Sequence, residues 1–569
     1  MFGHRRSFTV ALAAAVGIGA IAPAVASAHA VLTGTRPAAG ATLARAPRRV
    51  VFEFDQAVGA TPGAVRVYAA SGARVDDGVL THPGGQARAI AVGLPARLPD
   101  GTYTATYRVI SADTHVVFGG LVFNIGHPSR SAQTVAGLIG RERSGPVTIV
   151  AAGVVRALAY LSIALVVGIL AFLAWATPPL LRIGAFERRL WALLAAGALL
   201  GALDGILGIL LEGAQAAGTS LWGALLGDVL ATVLGDRFGW VWGTRAVALA
   251  VTAVLVLAAP GRRWTRPARA WLAALAAYLV ATPALAGHAA VQSPVWAFLP
   301  SDVLHVLAAS VWVGGIVAIV LALPLATRAV APPQRTAILV EVLGRFSPVA
   351  LAAVVGLAVT GVVQAYIDVR TVHALTHTPY GELVLLKTGL LGLLIGVGAV
   401  NRERIIPSLR RALAAAATPG EAGVLLRRTT RGELAGMVAL FAATAALVAF
   451  AAPIDAASGP FAADVALGPA ELEADVAPSG AGSYQMHLYL IEARSGAPFT
   501  GTRQLTVTAS LPARGIGPLV ERAYPTGPGH FTVPDALLSP AGTWSVVITD
   551  RVSPFVEHSV TLHVPVGAP

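Results

Sequence analysis

The pattern at the start of the chain is a charged pair followed by a long apolar run. Arg5 and Arg6 precede the almost wholly apolar stretch 8–22, and the small residues Ala26-Ser27-Ala28 close it. This order is typical of a secretory signal peptide that is removed after Ala28. The segment Arg5-Arg6-Ser7-Phe8 also loosely fits a twin-arginine signal, so the export route stays open between the two kinds of signal.

Alternating patterns flank a long apolar region. Runs such as Val65-Arg66-Val67-Tyr68 alternate in polarity between Pro, Gly and Asp residues. They predict that residues 29–126 form a small antiparallel β-sandwich, Ig-like or cupredoxin-like with Greek-key connections. Residues 127–146, rich in Ser, Arg and Gly, are predicted to be a linker. Alternation returns in residues 453–569, which are predicted to form a second β-sandwich.

Between the sandwiches, residues 147–452 are dominated by apolar stretches long enough to cross a membrane. A hydrocarbon core of about 30 Å needs about 20 helical residues. We predict a bundle of eight transmembrane helices, at 147–175, 190–212, 240–259, 270–288, 302–325, 346–368, 383–400 and 433–452. A further amphipathic piece, 221–234, is expected to lie in the outer interface. The fold class is therefore mixed, with an eight-helix bundle between two exported β-sandwiches.

The net charge of +12 can be interpreted from the positions of the arginines along the chain. The loops after the first, third, fifth and seventh helices carry most of them: Arg182, Arg188, Arg189, Arg262, Arg263, Arg266, Arg269, Arg328, Arg335, Arg402, Arg404, Arg410, Arg411, Arg427, Arg428 and Arg431. The opposite loops hold little beyond Arg237 and Arg370. This is the positive-inside asymmetry. It predicts a multi-pass protein of a bacterial plasma (inner) membrane with both sandwiches on the outer, periplasmic side, and it makes a nucleic-acid partner unnecessary.

Composition limits the metal chemistry that this chain can perform. There is no cysteine and there are three methionines, Met1, Met437 and Met486. Any metal must therefore be bound mainly by histidine nitrogen and carboxylate oxygen. After cleavage the chain begins with His29, whose free amine and imidazole belong to one residue. The α-amine titrates near ~8, so a metal displaces its proton at little cost at neutral pH.

A second pair of metal-ligand residues lies downstream, where Asp113 and His115 stand two residues apart. Positions i and i+2 of a strand share a face. Together with His29 they offer three nitrogens and one oxygen, a set that suits tetragonal Cu(II). The alternative is that His29 is simply the first residue left by cleavage and that Asp-x-His is a surface-loop pair.

Ionisable residues in the apolar region form a second group of candidates. Such residues are costly in a bilayer and tend to be functional. A candidate copper path at the outer edge of the membrane consists of His288, Asp302, His305, His373 and His377. Asp302 and His305 are three residues apart on one helix face, so the carboxylate can orient the ring. The alternative for His373 and His377 is an ordinary solvated loop.

The remaining polar candidates are weaker. Asp204 and Lys387 either pair with each other or line a path. In the last domain Met486, His487, His530 and His558 follow no spacing rule, and we expect them to be scattered over the sandwich.

Several segments resemble known copper-protein families. His29-Ala30-Val31-Leu32, residues 50–58 and residues 107–115 resemble the CopC copper-binding proteins. That resemblance implies Cu(II) ligands at His29, Asp113 and His115. No methionine lies between residues 29 and 126, unlike family members that carry a methionine-rich Cu(I) site.

The membrane region is similar to the CopD family. The likeness rests on residues 302–305, 312–315, 345–347, 360–361, 380–381, Lys387 and 401–402. Residues 511–519 of the last domain are similar to YtkA-like domains. The resemblance implies a fused CopC–CopD protein of copper uptake or resistance that binds copper ions and the lipid bilayer, is not an enzyme and has no catalytic residues.

Alternative functions remain open from sequence. An amine-plus-imidazole site resembles that of copper mono-oxygenases, and paired membrane histidines could instead bind haem in a redox protein. No G-x-x-x-x-G-K-[ST] motif is present, so the chain carries no ATP site of this type. Because the candidate copper residues lie outside, uptake is the preferred direction.

Overall fold

The structure is a computed structural model that describes residues 30–566, except 31, 39, 112–115, 128, 130–134, 143–144, 179–180, 182–183, 226, 259–264, 291–293, 370, 449–460, 481–482, 493–497 and 528. The chain divides into two compact units. The helical unit contains residues 150–209 and 239–448, and the sandwich unit contains residues 30–149, 210–238 and 461–566. The two exported domains predicted from alternation thus belong to one unit.

The N-terminal domain is a sandwich of two four-stranded sheets. Its strands are β1 (Leu32–Arg36), β2 (Thr42–Leu43), β3 (Arg49–Phe54), β4 (Val65–Ala69), β5 (Leu80–Thr81), β6 (Ala89–Gly93), β7 (Gly101–Ile110) and β8 (Val116–Ile125). One sheet has the order β1-β3-β6-β5 and the other the order β2-β8-β7-β4. All pairs are antiparallel except β2 with β8. The predicted β-sandwich is confirmed.

Strand β7 is buried on both of its faces. Tyr103 and Tyr107 lie on the face that builds the sandwich core, where Tyr107 packs against Phe52 and Phe54. Thr106 and Arg108 lie on the opposite face, because neighbouring residues of a strand alternate. That outer face is covered as well, with Arg108 only 1% exposed. A polar strand face that is buried must find partners for its side chains.

The C-terminal domain is a second sandwich. Its strands are β9 (Phe461–Leu467), β10 (Ala470–Gly480), β11 (Ser483–Glu492), β12 (Gln504–Leu511), β13 (Ile516–Arg522), β14 (Tyr524–Gly527), β15 (His530–Leu537), β16 (Gly542–Ser553) and β17 (Val556–Val566). The sheets have the orders β14-β15-β11-β10-β9 and β13-β12-β16-β17. Their inner faces meet in an apolar core around the fully buried Trp544.

The helices of the described residues are α1 (Val135–Glu142), α2 (Pro146–Ala171), α3 (Ala185–Ala217), α4 (Gly227–Gly235), α5 (Arg237–Ala258), α6 (Arg266–Ala286), α7 (Val295–Leu321), α8 (Leu323–Arg328), α9 (Pro332–Asp368), α10 (Val372–His377), α11 (Pro379–Val400), α12 (Ile406–Ala414) and α13 (Gly420–Val448). Single π-helical turns, Phe172–Ala176 and Asn401–Ile405, extend α2 and α11. Helix α1 packs on β8, where Val135 and Ile139 contact Val122.

The helix count differs from the prediction of eight spans. Seven helices within the described residues are long and apolar enough to cross a membrane: Pro146–Ala176, Ala185–Ala217, Arg237–Ala258, Arg266–Ala286, Val295–Arg328, Gln334–Asp368 and Pro379–Ala414. The stretch predicted as the eighth, 433–452, lies largely in α13, which ends at Val448, and residues 449–452 lie outside the described residues. The first half of α13 contains charged residues, so a search for apolar stretches does not include it.

Several helices are longer than their apolar stretches. Helix α9 begins at Pro332, fourteen residues before the predicted start at 346. Two prolines occupy its first turn, where no helical hydrogen bond from their nitrogen is needed. Hydropathy marks only the part of a helix that matches the hydrocarbon core, whereas backbone hydrogen bonding continues through polar turns.

Candidate functional site

The predicted copper ligands His29, Asp113 and His115 lie outside the described residues. The structure does describe β7 and β8, the strands that come before and after Asp113 and His115 in the sequence. Strand β7 ends at Ile110 and β8 begins at Val116, so residues 111–115 connect an antiparallel pair whose last register pair is Ile110 with Val116. In the sequence, Asp113 and His115 thus fall between the described ends of β7 and β8.

The residue that follows His29 is held next to this connection. The backbone nitrogen of Ala30 donates to Ser111 Oγ at 2.9 Å. Both residues are buried, at 4% exposure each. The chain positions directly after His29 and two before Asp113 are thus joined by a hydrogen bond, although 81 residues separate them.

Arg108, five residues before Asp113, links β7 to another part of the sandwich unit. Its Nε donates to the carbonyl of Ala216 at 2.7 Å, and its Nη2 donates to the carbonyl of Ala217. Thr61 Oγ1 also donates to the Ala216 carbonyl, at 3.1 Å. These carbonyls belong to the last turn of α3, where helical partners are lacking. A guanidinium at a helix C-terminus also complements the helix dipole.

A buried carboxylate lies at a second contact within the sandwich unit. A Cβ placed on Gly59 would be 2.8 Å from Asp236 Oδ2, so this glycine allows the close approach. Asp236 Oδ2 has no hydrogen-bond partner among the described residues. Burial raises the pKa of Asp236 to about 6. The N-terminal sandwich and segment 210–238 therefore meet at Arg108 and at Asp236, two polar contacts that the sequence pattern did not indicate.

In the helical unit, α7, α9 and α11 share a polar cluster that we call the Asp302–His305 cluster: Asp302, His305, Thr360, Gln364 and Lys387. His305 Nδ1 lies 2.8 Å from Thr360 Oγ1. Gln364 Nε2 donates to Asp302 Oδ1 at 3.4 Å. Lys387 interacts electrostatically with both Asp302 and His305.

Thr360 fixes the His305 ring in this cluster. The Thr360 hydroxyl donates to the Gly356 carbonyl at 2.7 Å, which leaves its oxygen as an acceptor for His305 Nδ1–H. The second ring nitrogen, Nε2, is the one suited to bind a metal when Nδ1 donates. The sequence indicated Asp302 for the orienting role, whereas the structure adds Thr360 from the neighbouring helix.

The other histidines of the predicted path are not brought into this cluster by any described contact. The side chains of His288 and His373 lie outside the described part of the chain. His377 is exposed at the end of α10, with its Nδ1 2.7 Å from Thr376 Oγ1. Of the five residues predicted for the copper path, the structure thus describes only Asp302 and His305 as members of this cluster.

Of the two alternatives for Asp204 and Lys387, pairing with each other is wrong. Asp204 Oδ1 accepts from Arg245 Nη2 at 2.7 Å, and both side chains are at most 3% exposed. The Arg245 guanidinium also lies 4.0 Å from the centre of the Trp242 ring. Arg245 lies in the predicted helix 240–259, where the mean hydropathy stays high despite one charged residue. Lys387 belongs instead to the Asp302–His305 cluster.

A cavity of about 280 Å³ lies further along α7 in the helical unit. Trp312, Ile316, Asn401 and Glu433 are among its lining residues. Asn401 Nδ2 donates to Glu433 Oε1 at 3.1 Å. His305 and Trp312 are seven residues apart on α7, hence on one face and about 10 Å apart along the axis. One face of α7 thus connects the cluster with the cavity.

No group of three or more His, Asp or Glu side chains within the described residues is arranged to hold a metal ion. The expectation that the last domain's polar residues are scattered is wrong for two of them, because His487 Nδ1 lies 3.0 Å from His530 Nε2. The two histidines are 43 residues apart in sequence, and only the pairing of β11 with β15 brings them together.

Family models match three parts of the chain. The CopC domain model matches residues 32–126, the model of the copper resistance protein D-like N-terminal domain matches residues 147–296, and the copper resistance protein D (CopD) model matches residues 340–447. The architecture is thus that of a multi-span membrane protein with β-sandwich domains. One polypeptide thus matches both the CopC and the CopD family models, as its resemblances predicted.

The chain is also similar to individual proteins. Copper transport protein CutJ of Bacillus subtilis (strain 168) is 27% identical over 492 residues, which cover 85% of this chain and 86% of CutJ. Inner membrane protein YebZ of Escherichia coli (strain K12) is 26% identical over 266 residues, 45% of this chain and 84% of YebZ. The crystal structure of CopC from Methylosinus trichosporium OB3b is 25% identical and covers 18% of this chain and all of that chain, with a TM-score of 0.16. Seven helices within the described residues are long and apolar enough to cross a membrane, as in a multi-pass membrane protein. The YtkA-like likeness of the last domain stays a prediction.

Proposed function

We propose that the protein is a copper transporter of the bacterial inner membrane, in which an exported Cu(II)-binding domain delivers copper to the membrane domain for uptake or resistance. The observation that carries this proposal is the combination of matches to the CopC and CopD family models in one chain whose helical unit also holds the part-buried imidazole of His305. The relative CutJ, which covers 85% of the chain, is named for copper transport. No enzymatic step is part of the proposal.

The proposed Cu(II) ligands are the His29 amine and imidazole with Asp113 and His115. The hydrogen bond from Ala30 to Ser111 supports their convergence, because it holds the chain next to His29 beside the hairpin connection that contains the other two. A nitrogen-rich set with one carboxylate suits a tetragonal Cu(II) ion. The proposed domains are a signal peptide (1–28), a CopC-like domain (29–126), a linker (127–146), a CopD-like domain (147–452) and a C-terminal sandwich (453–569).

In the membrane domain, the proposed copper path begins at the Asp302–His305 cluster. Its part-buried imidazole is oriented by Thr360, and imidazole is a good copper ligand. From there the face of α7 continues to the cavity at Trp312, Asn401 and Glu433. Under the proposed topology, with both sandwiches periplasmic, copper moves from His305 at the outer side toward this cavity at the inner side.

The test is Cu(II) binding by the full-length protein with two different N-termini, followed by electron paramagnetic resonance. One version begins with free His29 and the other carries an extra glycine before it. The version with free His29 is expected to show a nitrogen-rich tetragonal spectrum that the glycine version lacks. His127→Ala, which changes an exposed histidine of the same region, is the control and should keep the spectrum. Equal spectra from both N-termini would remove His29 from the site.

A further inference from the structure

The face of the C-terminal sandwich opposite its own core is polar and yet buried. In the β10–β11–β15 part of this sheet, His487 pairs in register with Asp475 and Thr532, and Tyr489 pairs with His530. Directly opposed residues of antiparallel strands share a face. His487 is 1% exposed and His530 3% exposed. Polar side chains that are buried to this degree need a specific reason.

This polar face lies against the N-terminal sandwich within the same unit. Strands β1 and β8 contact β10. A Cβ placed on Gly40 would lie 3.4 Å from Gln485 Nε2 and 3.9 Å from Thr532 Cγ2. The histidine pair therefore lies near the contact between the CopC domain and the C-terminal domain.

Three donor atoms converge on this face. His487 Nδ1 lies 3.0 Å from His530 Nε2, and Thr532 Oγ1 lies 3.3 Å from the first and 3.4 Å from the second. A triangle with these sides has room for an ion about 2 Å from each corner, which is the usual metal–nitrogen distance. The Tyr489 ring stacks on His530 with centroids 4.2 Å apart and planes at 9°. The stack fixes the orientation of the His530 ring.

Both imidazoles are neutral at physiological pH. Burial lowers the pKa of His530 to about 3, and burial together with His530 holds the pKa of His487 well below its usual range. Metal ligation by histidine requires the neutral ring. His487 Nε2 has no hydrogen-bond partner among the described residues, and it is the nitrogen that carries the proton when Nδ1 binds a metal.

We propose that His487, His530 and Thr532 form a copper site for Cu(I) at the contact between the two sandwiches. Imidazole nitrogen is a good copper ligand. Cu(I) has a filled d shell and accepts two or three ligands, so the triangle suffices. The inference goes beyond the proposed function, because it requires neither the Cu(II) site at His29 nor transport through the membrane.

The charge of the donor set favours a monovalent ion. The three donors are neutral, and bringing a divalent ion into a buried site without compensating anions is far more costly than bringing a monovalent one. Asp475, at 1% exposure, is the carboxylate opposite His487, and the half-buried Glu473 lies further along the same face, opposite Tyr489. The one carboxylate directly opposite the histidine pair balances one positive charge.

The experiment measures Cu(I) bound by the full-length protein in lipid nanodiscs, without oxygen and in competition with the chelator bicinchoninate. His487→Phe and His530→Phe are each expected to lose one tightly bound Cu(I) relative to wild type. His563→Phe is the matched control, since it changes an exposed histidine of the same domain, and it should bind as wild type does. Thr532→Val should weaken binding about tenfold, because the two imidazoles remain.

A second measurement needs no variant and so does not depend on how the substituted chains fold. Cu(I) binding to wild type should slow amide hydrogen exchange in residues 484–490 and 530–533, because a ligand stabilises the state that binds it. Equal Cu(I) stoichiometry in all four variants, or exchange in these strands that copper leaves unchanged, would overturn the site. Cu(II) resonance at His29 is read separately, so failure of one copper site is distinguishable from failure of the other.

Discussion

At the scale of single residues, buried polar side chains determine how the sandwich unit is assembled. Arg108 is a charged residue in a strand whose neighbours are all buried, and it is tolerated because its guanidinium meets helix-end carbonyls. The carbonyls gain donors that the helix does not supply. Polar contacts of this kind are directional, so they select one relative placement of β7 and the end of α3.

The first residue-scale prediction concerns Arg108. Arg108→Met should destabilise the contact between β7 and residues 210–217 by about 2 to 4 kcal/mol, because two charged hydrogen bonds are lost and the Ala217 carbonyl loses its Arg108 donor. The measurement is amide hydrogen exchange of residues 210–217, which should become faster. Arg66→Met is the control, because Arg66 on the adjacent β4 is only half-buried and donates to a local carbonyl. Similar exchange in both variants would show that Arg108 is not a docking residue.

The second residue-scale prediction concerns Asp236. Its folded pKa of about 6 lies above the unfolded value, so the folded state binds this proton more tightly. The stabilisation is complete below about pH 4 and is lost as the pH rises through about 6. Asp236→Asn should therefore stabilise the sandwich unit at pH 8, by on the order of 1 kcal/mol after allowing for partial exposure.

The check for Asp236 is the stability of wild type and variant against urea between pH 4 and pH 8. The difference between the two should grow with pH and level off above pH 7. Asp228→Asn, which changes an acidic residue in the first turn of α4, serves as the control and should show no such growth. A difference that is constant across this range would contradict the burial of the Asp236 carboxylate.

At the scale of secondary-structure elements, pairs of helices carry the polar groups of the membrane domain. Helices α7 and α9 pack along each other and place His305 beside Thr360. Helices α3 and α5 similarly place Asp204 beside Arg245. In hydrocarbon, such groups must be satisfied by a neighbouring helix because no water is available.

Thr360→Val tests the positioning role of Thr360 in the α7–α9 pair. The variant keeps the side-chain shape and removes the partner of His305 Nδ1, so copper uptake should fall by about ten- to one hundredfold, as for other orienting groups. Thr360→Ser should restore uptake because the hydroxyl returns. Thr388→Val is the control, since Thr388 donates to a carbonyl of its own helix. The measurement is uptake of radioactive copper into cells at equal protein levels.

The α3–α5 pair predicts unequal effects of single and double substitution. Asp204→Asn alone should destabilise the helical unit by about 3 to 5 kcal/mol, because Arg245 is left as an uncompensated buried charge. The double variant Asp204→Asn with Arg245→Met should recover much of this loss. Thermal unfolding in detergent measures both. A double variant less stable than Asp204→Asn would show that the pair contributes more than mutual neutralisation.

At the scale of the whole molecule, charge and hydropathy together determine the topology. Arginines concentrate at alternate loops of the helical region, and the CopC and C-terminal sandwiches belong to one compact unit together with segment 210–238. Under the predicted topology all three parts are on the same, outer side. This arrangement requires an even number of spans, so it predicts that α13 crosses the membrane in addition to the seven candidate spans.

The absence of cysteine makes this topology directly testable. Single cysteines at exposed positions, Ser71→Cys in the first sandwich, Thr500→Cys in the second and Ala329→Cys after α8, are expected to differ in labelling. A membrane-impermeant maleimide should label the first two in intact spheroplasts and the third only after lysis. Labelling of Ser71→Cys without Thr500→Cys would show an odd number of spans.

The sequence by itself determined the architecture of this protein. Alternation with period two predicted both sandwiches, and apolar length predicted the helical region, because these patterns reflect burial from one face of a strand or by lipid around a helix. Segments such as 107–115 predicted the match to the CopC model, and segments such as 345–347 predicted the match to the CopD model. The predicted ligands His29, Asp113 and His115 remain predictions.

The tertiary structure alone decided which polar groups meet. His305 with Thr360, Asp204 with Arg245 and His487 with His530 come from different elements, at separations of 55, 41 and 43 residues. No local pattern encodes such a pair, because each side chain's own neighbours specify only the face on which it lies. Which faces come together depends on the packing of helices and the register of strands. The physical reason is that hydrophobic burial is non-directional, whereas a hydrogen bond requires two particular atoms at one distance.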